Sequence, residues 1–289
     1  MTGKLIGALF IVMSVCNYSF AKDITPDEIF PRVIDTYSSM KTYKAQAANI
    51  SDIGFAGEDS KLHTETSFSI LLKKPNLYLI SWIKKNKMKS LPNAGEGTVW
   101  SDGTQPYIYY ALKNIYVKMN SDALALASAS GLSEKPTIQT ITSIFFVTPD
   151  SKKKLFSQLR DPIIEKSEKI GDEDCYVISG ATPFSKKATF WISKSRYIIL
   201  KHSYSYAPPE IGWEYREPSE KSIKLSLKLK NLEASEENVK MERNRMRERK
   251  KNLRGSYTEI YEAISFPDLG KKDFRFSIPK GAVLEKTLF

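Results

Sequence analysis

The side chains that most often do chemistry are scarce in this chain and poorly spaced for it. His63 and His202 are its two histidines, and each falls in a strand-like stretch among polar neighbours. No Gly-x-Ser-x-Gly elbow accompanies them and no histidine pair stands at metal-ligand spacing, so neither is set up as a general base or a zinc ligand. Of the two cysteines, Cys16 lies in an apolar N-terminal run. Cys175, in Cys175-Tyr176-Val177-Ile178, reads as a small hydrophobe on a buried strand rather than a nucleophile. The acidic cluster Asp172-Glu173-Asp174 follows Gly171 between two strand-like stretches. That is a turn, and calcium would need more oxygen ligands at defined spacing. No glycine-rich phosphate loop occurs. The expectation is therefore no catalytic residue, no metal and no cofactor.

The N-terminus carries a different signal. Lys4 precedes the apolar run Leu5–Cys16, polar Asn17 and Ser19 follow, and Ser19-Phe20-Ala21 places small residues where a signal peptidase inspects. This is the layout of a cleaved secretory signal over residues 1–21, with cleavage expected after Ala21. The run falls short of the roughly 20 apolar residues a membrane-spanning helix needs. A lipidated Cys16 would want a small residue before it, and Met13-Ser14-Val15 lacks one. The expected location is periplasmic. A mature chain with Cys175 alone can form no internal disulfide there. The formal net charge of +11 then points to lipid head groups or another envelope partner, not to nucleic acid.

The elements that must position any site follow, over residues 22–289, as one domain. Thr25, Pro26 and Glu28 mark a capped helix start. Ile29, Val33, Ile34, Tyr37 and Met40 share its face, and Pro31 predicts a kink or a second helix start. Strands are expected at 42–50, 64–73, 77–84, 98–101, 107–112 and 115–119, joined by tight turns such as Pro75-Asn76 and Asp102-Gly103, an antiparallel meander. Two short helices follow, Ser121–Ser130 stopping at Gly131 and one from Thr148 to about Leu159. Further strands are expected at 163–170, 175–180, 188–193, 197–206, 221–229, 257–265 and 273–278. Residues 230–254 stand apart. Acidic residues lead, basic ones trail, no Pro or Gly interrupts, and the apolar residues sustain no heptad: a solvated, charged helical excursion.

Tyr78, Ile80 and Trp82 share one face of their strand, while Leu77, Leu79 and Ile83 share the other. A strand apolar on both faces needs cover on both. Helices supply one cover; the other is either more protein or an apolar ligand in a cavity.

The order of short motifs resembles the LolA/LolB-like lipoprotein-carrier superfamily, including its outer-membrane lipoprotein-sorting branch. The motifs are Lys74-Pro75-Asn76-Leu77-Tyr78, Trp100-Ser101-Asp102-Gly103-Thr104 with Tyr107–Tyr110, Phe190-Trp191-Ile192-Ser193-Lys194, and Phe274-Arg275-Phe276-Ser277-Ile278-Pro279-Lys280-Gly281. The resemblance covers roughly Asp27 to Ala282. It implies an α+β fold, an incomplete, half-open antiparallel β-barrel with an N-terminal helix and short lid helices over an apolar cavity for acyl chains. On this sequence the implied lining is Phe68, Ile70, Leu72, Tyr78, Ile80, Trp82, Tyr107 and Tyr109. Pro75, Asn76, Asp102 and Gly103 match barrel-shaping turns. The family's lid-latching arginine has no counterpart: Arg32 is the only arginine before Arg160 and its context does not match. The expected function is a periplasmic carrier or chaperone of lipid or lipoprotein acyl chains. The alternative is a sensor or adaptor of the same fold that binds a protein through the charged excursion.

Overall fold

The computed structural model describes residues 24–55, 61–85, 95–133, 137–146, 156–182, 185–206, 219–229 and 232–288. Residues 1–21, where the sequence places a signal peptide, lie outside them.

The framework is one sheet of 13 strands: β1 (Thr42–Phe55), β2 (Lys61–Lys73), β3 (Leu77–Lys84), β4 (Glu96–Asp102), β5 (Pro106–Tyr110), β6 (Ile115–Lys118), β7 (Arg160–Ile164), β8 (Glu168–Ile170), β9 (Glu173–Thr182), β10 (Ser185–Ser193), β11 (Ile199–Tyr206), β12 (Leu253–Ser265) and β13 (Val283–Glu285). Its spatial order is β13-β6-β5-β4-β3-β2-β1-β12-β11-β10-β9-β7, with β8 also on β9. Every pairing is antiparallel except β13 on β6. The first and last strands of this order do not meet, so the sheet is open. The meander β1–β6 stands as the turns demanded. The stretch read as one strand at 163–170 is two, both paired with β9.

Among the described residues five helices accompany the sheet: α1 (Pro26–Ser39), α2 (Asp122–Ser133), α3 (Thr137–Phe145), α4 (Glu220–Leu229) and α5 (Glu236–Asn252). The Thr25 backbone N–H donates to Glu28 at 2.8 Å, closing the capping box. α1 runs unbroken through Pro31, so no second helix starts there. Pro31 sits in an exposed second turn, so the helix loses one backbone bond there and no packing. Ile29, Phe30, Val33 and Tyr37 are buried. Lys74 Nζ donates to the Tyr37 and Ser38 carbonyls, both at 2.7 Å, satisfying the last turn of α1.

Three sequence expectations are corrected. Helix α2 passes through Gly131 to Ser133, because Gly131 keeps a helical backbone. Residues 221–229 form helix α4: the alternation of Ile223, Leu225, Leu227 and Leu229 mimics a strand, but Ile223 and Leu227 also stand one helical turn apart and are both buried. Residues 273–278 make no strand; Lys271–Phe274 is a short 3-10 turn, and the strand near this terminus is β13. The helix expected from Thr148 falls mostly outside the described residues, and its described end, 156–158, is a turn. The excursion at 230–254 does contain a helix, α5.

The main core lies between one face of the sheet and helices α1, α2 and α3. A smaller cluster on the opposite face joins Leu77, Leu269 and Phe274 with Leu71 and Leu79.

Candidate functional site

Strand registers resolve the inner, helix-covered face into cross-strand rows. One row is wholly apolar and crosses six strands: Ala45, Ile70, Ile80, Val99, Ile108 and Val117. None of its side chains is more than 4 % exposed. Tyr43, Leu72 and Tyr78 form a row on one side of it, and Ala47, Phe68 and Trp82 on the other. Of the eight lining residues named from sequence, Phe68, Ile70, Leu72, Tyr78, Ile80 and Trp82 are thus brought together, all buried. Trp82 lies flat over Gly97, where an added Cβ would meet the indole ring at 2.2 Å.

Tyr107 and Tyr109 are not part of this surface. They flank inward-facing Ile108 on β5 and so point to the outer face. There Tyr107 stacks on Trp100 at 5.3 Å between ring centres, and Phe276 lies 4.8 Å from Trp100 and 5.5 Å from Tyr109. The C-terminal segment around Leu269, Phe274 and Phe276 therefore covers the outer face of β3–β5. Strands that are apolar on both faces have protein on both.

Helices α2 and α3 close the inner face in unlike ways. From α3, Ile138, Ile141, Ile144 and Phe145 are buried. From α2, the buried side chains are Ala125, Ala129, Ser130 and Ser133, while Leu124 is 47 % exposed. Leu126 and Leu132 of α2 are partly buried against the core. At their margin with the β2–β3 turn a pocket of ≈ 750 Å³ opens, lined by Pro75, Asn76, Tyr78, Asp122, Ala123, Leu126, Ala127, Gln139, Thr140, Thr142, Ser143 and Phe146. The Tyr78 hydroxyl donates to Asp122 Oδ1 at 2.9 Å, pinning the start of α2 to β3. Burial, then the adjacent Asp122 charge, pushes the Tyr78 phenol far above its ordinary range, so it stays a donor.

A second row on the same face differs in chemistry. Thr66, Asn49, Glu259 and His202 pair in sequence across β2, β1, β12 and β11, and none is more than 1 % exposed. Asn49 Nδ2 donates to Thr137 Oγ1 at 3.3 Å and to Glu259 Oε1 at 3.4 Å; the Tyr261 hydroxyl donates to Glu259 Oε2 at 2.8 Å. His202 stacks on Phe190 at 4.1 Å and meets Tyr204 edge-on at 4.0 Å. Burial depresses the His202 imidazole to about 3, leaving it neutral at ordinary pH.

The remaining sequence candidates have structural surroundings. His63 is exposed and its Nδ1 lies 2.8 Å from Asp52 Oδ1. Being on the outer face, it cannot join His202 in a dyad. Cys175 is buried, and desolvation raises its thiol, so it is a poor nucleophile. In the acidic cluster, burial raises the Glu173 carboxyl, but bonds from Arg196 and Ser193 outweigh it and hold the group below its usual range. Among the described residues no three His, Cys, Asp or Glu side chains come together as a metal site. Arg32 Nη1 donates to the Tyr197 hydroxyl at 2.7 Å, on the β10–β11 turn and not on α2 or α3. Sequence reasoning missed Asn49, Thr66 and Glu259. Only the alternation Tyr257-Glu259-Tyr261, which puts a carboxylate between two tyrosines on one strand face, hinted at a polar interior.

No family model matches the chain, and no curated protein matches it. Among solved structures, an uncharacterised conserved protein from Thermus thermophilus is 10% identical, covering 90% of this chain and 98% of that one at TM-score 0.41. A LolA superfamily protein from Nitrosomonas europaea is 10% identical, covering 88% and 98% at TM-score 0.29. LprF from Mycobacterium bovis is 9% identical, covering 88% and 95% at TM-score 0.38. This chain's own form is an open, mostly antiparallel sheet with an N-terminal helix and a helical cover.

Proposed function

We propose that this chain is a non-catalytic, extracytoplasmic carrier that holds an acyl chain of a lipid or lipoprotein between the apolar rows of the inner face and helices α2 and α3. The observation that carries the reading is the asymmetry of the cover. The apolar rows lie beneath a helix whose fully buried side chains are Ala and Ser and whose Leu126 and Leu132 are only partly buried against the core, with an open pocket of ≈ 750 Å³ along its edge. A chain entering past Leu126 and Phe146 displaces only part-buried contacts with the core, while each methylene it buries contributes about 0.8 kcal/mol. The N-terminal residues support a periplasmic location.

Native mass spectrometry of the mature protein, before and after adding a diacyl lipid or lipopeptide, tests this. A bound mass of lipid size is expected. Absence of any adduct in both conditions would leave the inner face as plain core.

The alternative, an adaptor that binds a protein, draws on α4 and α5. These helices pair through Ser226 Oγ and Glu242 Oε1 at 2.8 Å and leave Met241 60 % exposed beside the basic end of α5. Deleting residues 230–254 separates the two: a carrier keeps its lipid, whereas an adaptor loses its partner.

A further inference from the structure

The polar row is difficult to account for as core. Thr66, Asn49 and His202 are no more than 1 % exposed, yet Thr66 Oγ1, Asn49 Oδ1 and both ring nitrogens of His202 have no hydrogen-bond partner among the described residues. Buried polar atoms are ordinarily satisfied, and each that is not lowers stability. Valine at 66 and phenylalanine at 202 would fill the same space without that penalty. These atoms also fall on consecutive strands, separated only by Glu259, about 5 Å from strand to strand.

Their combined chemistry is specific. Asn49 Oδ1 only accepts, the Thr66 hydroxyl both donates and accepts, and a neutral imidazole offers one donor and one acceptor. Glu259 lies within the row, so a phosphate or carboxylate arriving there would meet a carboxylate. The apolar row Ala45–Val117 lies two rows away on the same face, separated by the row of Ala47, Phe68 and Trp82.

We propose that Thr66, Asn49 and His202 form a hydrogen-bonding subsite of the inner face for a neutral head group that both donates and accepts, the hydroxyls of a glyceride, on the amphiphile whose chain lies along the apolar rows. This rests on the carrier reading above and adds what the carrier selects: an uncharged, hydroxylated head over a charged or aprotic one. Asn49 links the subsite to the cover, since it also donates to Thr137 at the start of α3.

The test compares two probes with the same chain, monopalmitoylglycerol and methyl palmitate, on the mature protein and on the double variant Thr66→Val/His202→Phe. Displacement of an uncharged fluorescent alkyl probe reads both affinities. Wild-type protein is expected to prefer the glyceride by about tenfold, the scale of one or two net hydrogen bonds. The double variant should bind methyl palmitate as before, lose the preference, and melt no lower than wild type. Equal wild-type affinities, or a preference that survives in the variant, would overturn the subsite and leave the carrier reading standing. Binding of neither probe would overturn both. Thr66→Val alone, nearly isosteric, serves as the second variant if the double one does not fold; it should reduce the preference in part.

Discussion

Two rows of side chains cross the same inner face two registers apart, and they obey opposite rules. The row Ala45-Ile70-Ile80-Val99-Ile108-Val117 is apolar on all six strands and fully covered. The row Thr66-Asn49-Glu259-His202 is as deeply buried and polar throughout. Burial alone therefore does not identify core on this face. The first row is what hydrophobic burial selects; the second keeps polar groups where apolar ones would be more stable, which is how functional surfaces depart from optimal packing.

The comparison breaks most visibly at the apolar row. Ile80, at 0 % exposure in the middle of its strand, loses its contacts with Ile70 and Val99 when truncated. Ile80→Ala is expected to lower the unfolding free energy by about 2–5 kcal/mol, read from the urea midpoint. A loss under about 1 kcal/mol would mean that the face is loosely filled, and the two rows would no longer differ in kind.

The next effect belongs to the polar row and depends on pH. His202 titrates near 6.5 when unfolded but is depressed to about 3 by burial when folded. The unfolded state therefore binds the proton first. Stability associated with the neutral ring is complete above about pH 6.5 and is lost as pH falls from there toward the folded value. Between pH 6.5 and 4.5 the loss is roughly 2–3 kcal/mol. Thermal melts of wild type and His202→Phe at the same series of pH values isolate the histidine by difference. His202→Phe should flatten the profile; an unchanged slope would show that the imidazole is hydrated and does not belong to a dry row.

How much of this was legible in the sequence follows from what each row is made of. The apolar row rests on period-two alternation in Thr64–Lys73 and Leu77–Lys84 and on tight turns at Pro75-Asn76 and Asp102-Gly103, all local signals. Six of the eight named lining residues followed from it. Tyr107 and Tyr109 did not, because aromatic alternation on β5 does not say which face is inward. That is decided by Ile108 across from Val99, and by Phe276 arriving from far along the chain. Helix α3 was hidden by its β-branched composition, although Ile138, Ile141 and Phe145 stand at helical spacing. The polar row was nearly illegible. Its members come from residues 49, 66, 202 and 259, each ordinary in its own strand, and only the β1–β12 and β11–β12 pairings assemble them.

Gly97 sharpens the boundary between the rows. It pairs with Trp82 and leaves space for the indole, with an added Cβ only 2.2 Å from the ring. Gly97→Ala must push Trp82 from the face or bend β4, at a loss of about 1–3 kcal/mol. The Trp82 fluorescence maximum should shift red as the ring is displaced. Full stability with an unshifted spectrum would place the indole elsewhere.

The smallest expected effect is the most discriminating. Thr66→Val exchanges a hydroxyl for a methyl at a fully buried site where the hydroxyl oxygen has no partner among the described residues. At the apolar row any loss of fit destabilises; here the swap keeps the volume, removes an unsatisfied group and favours the strand backbone. Stability is expected to stay level or rise, by up to about 1 kcal/mol, in equilibrium unfolding of the lipid-free protein. Should the variant instead lose more than about 1 kcal/mol, Thr66 would be a satisfied structural residue, its partner an ordered water. The polar row would then be core of an unusual composition and not a surface kept for a ligand.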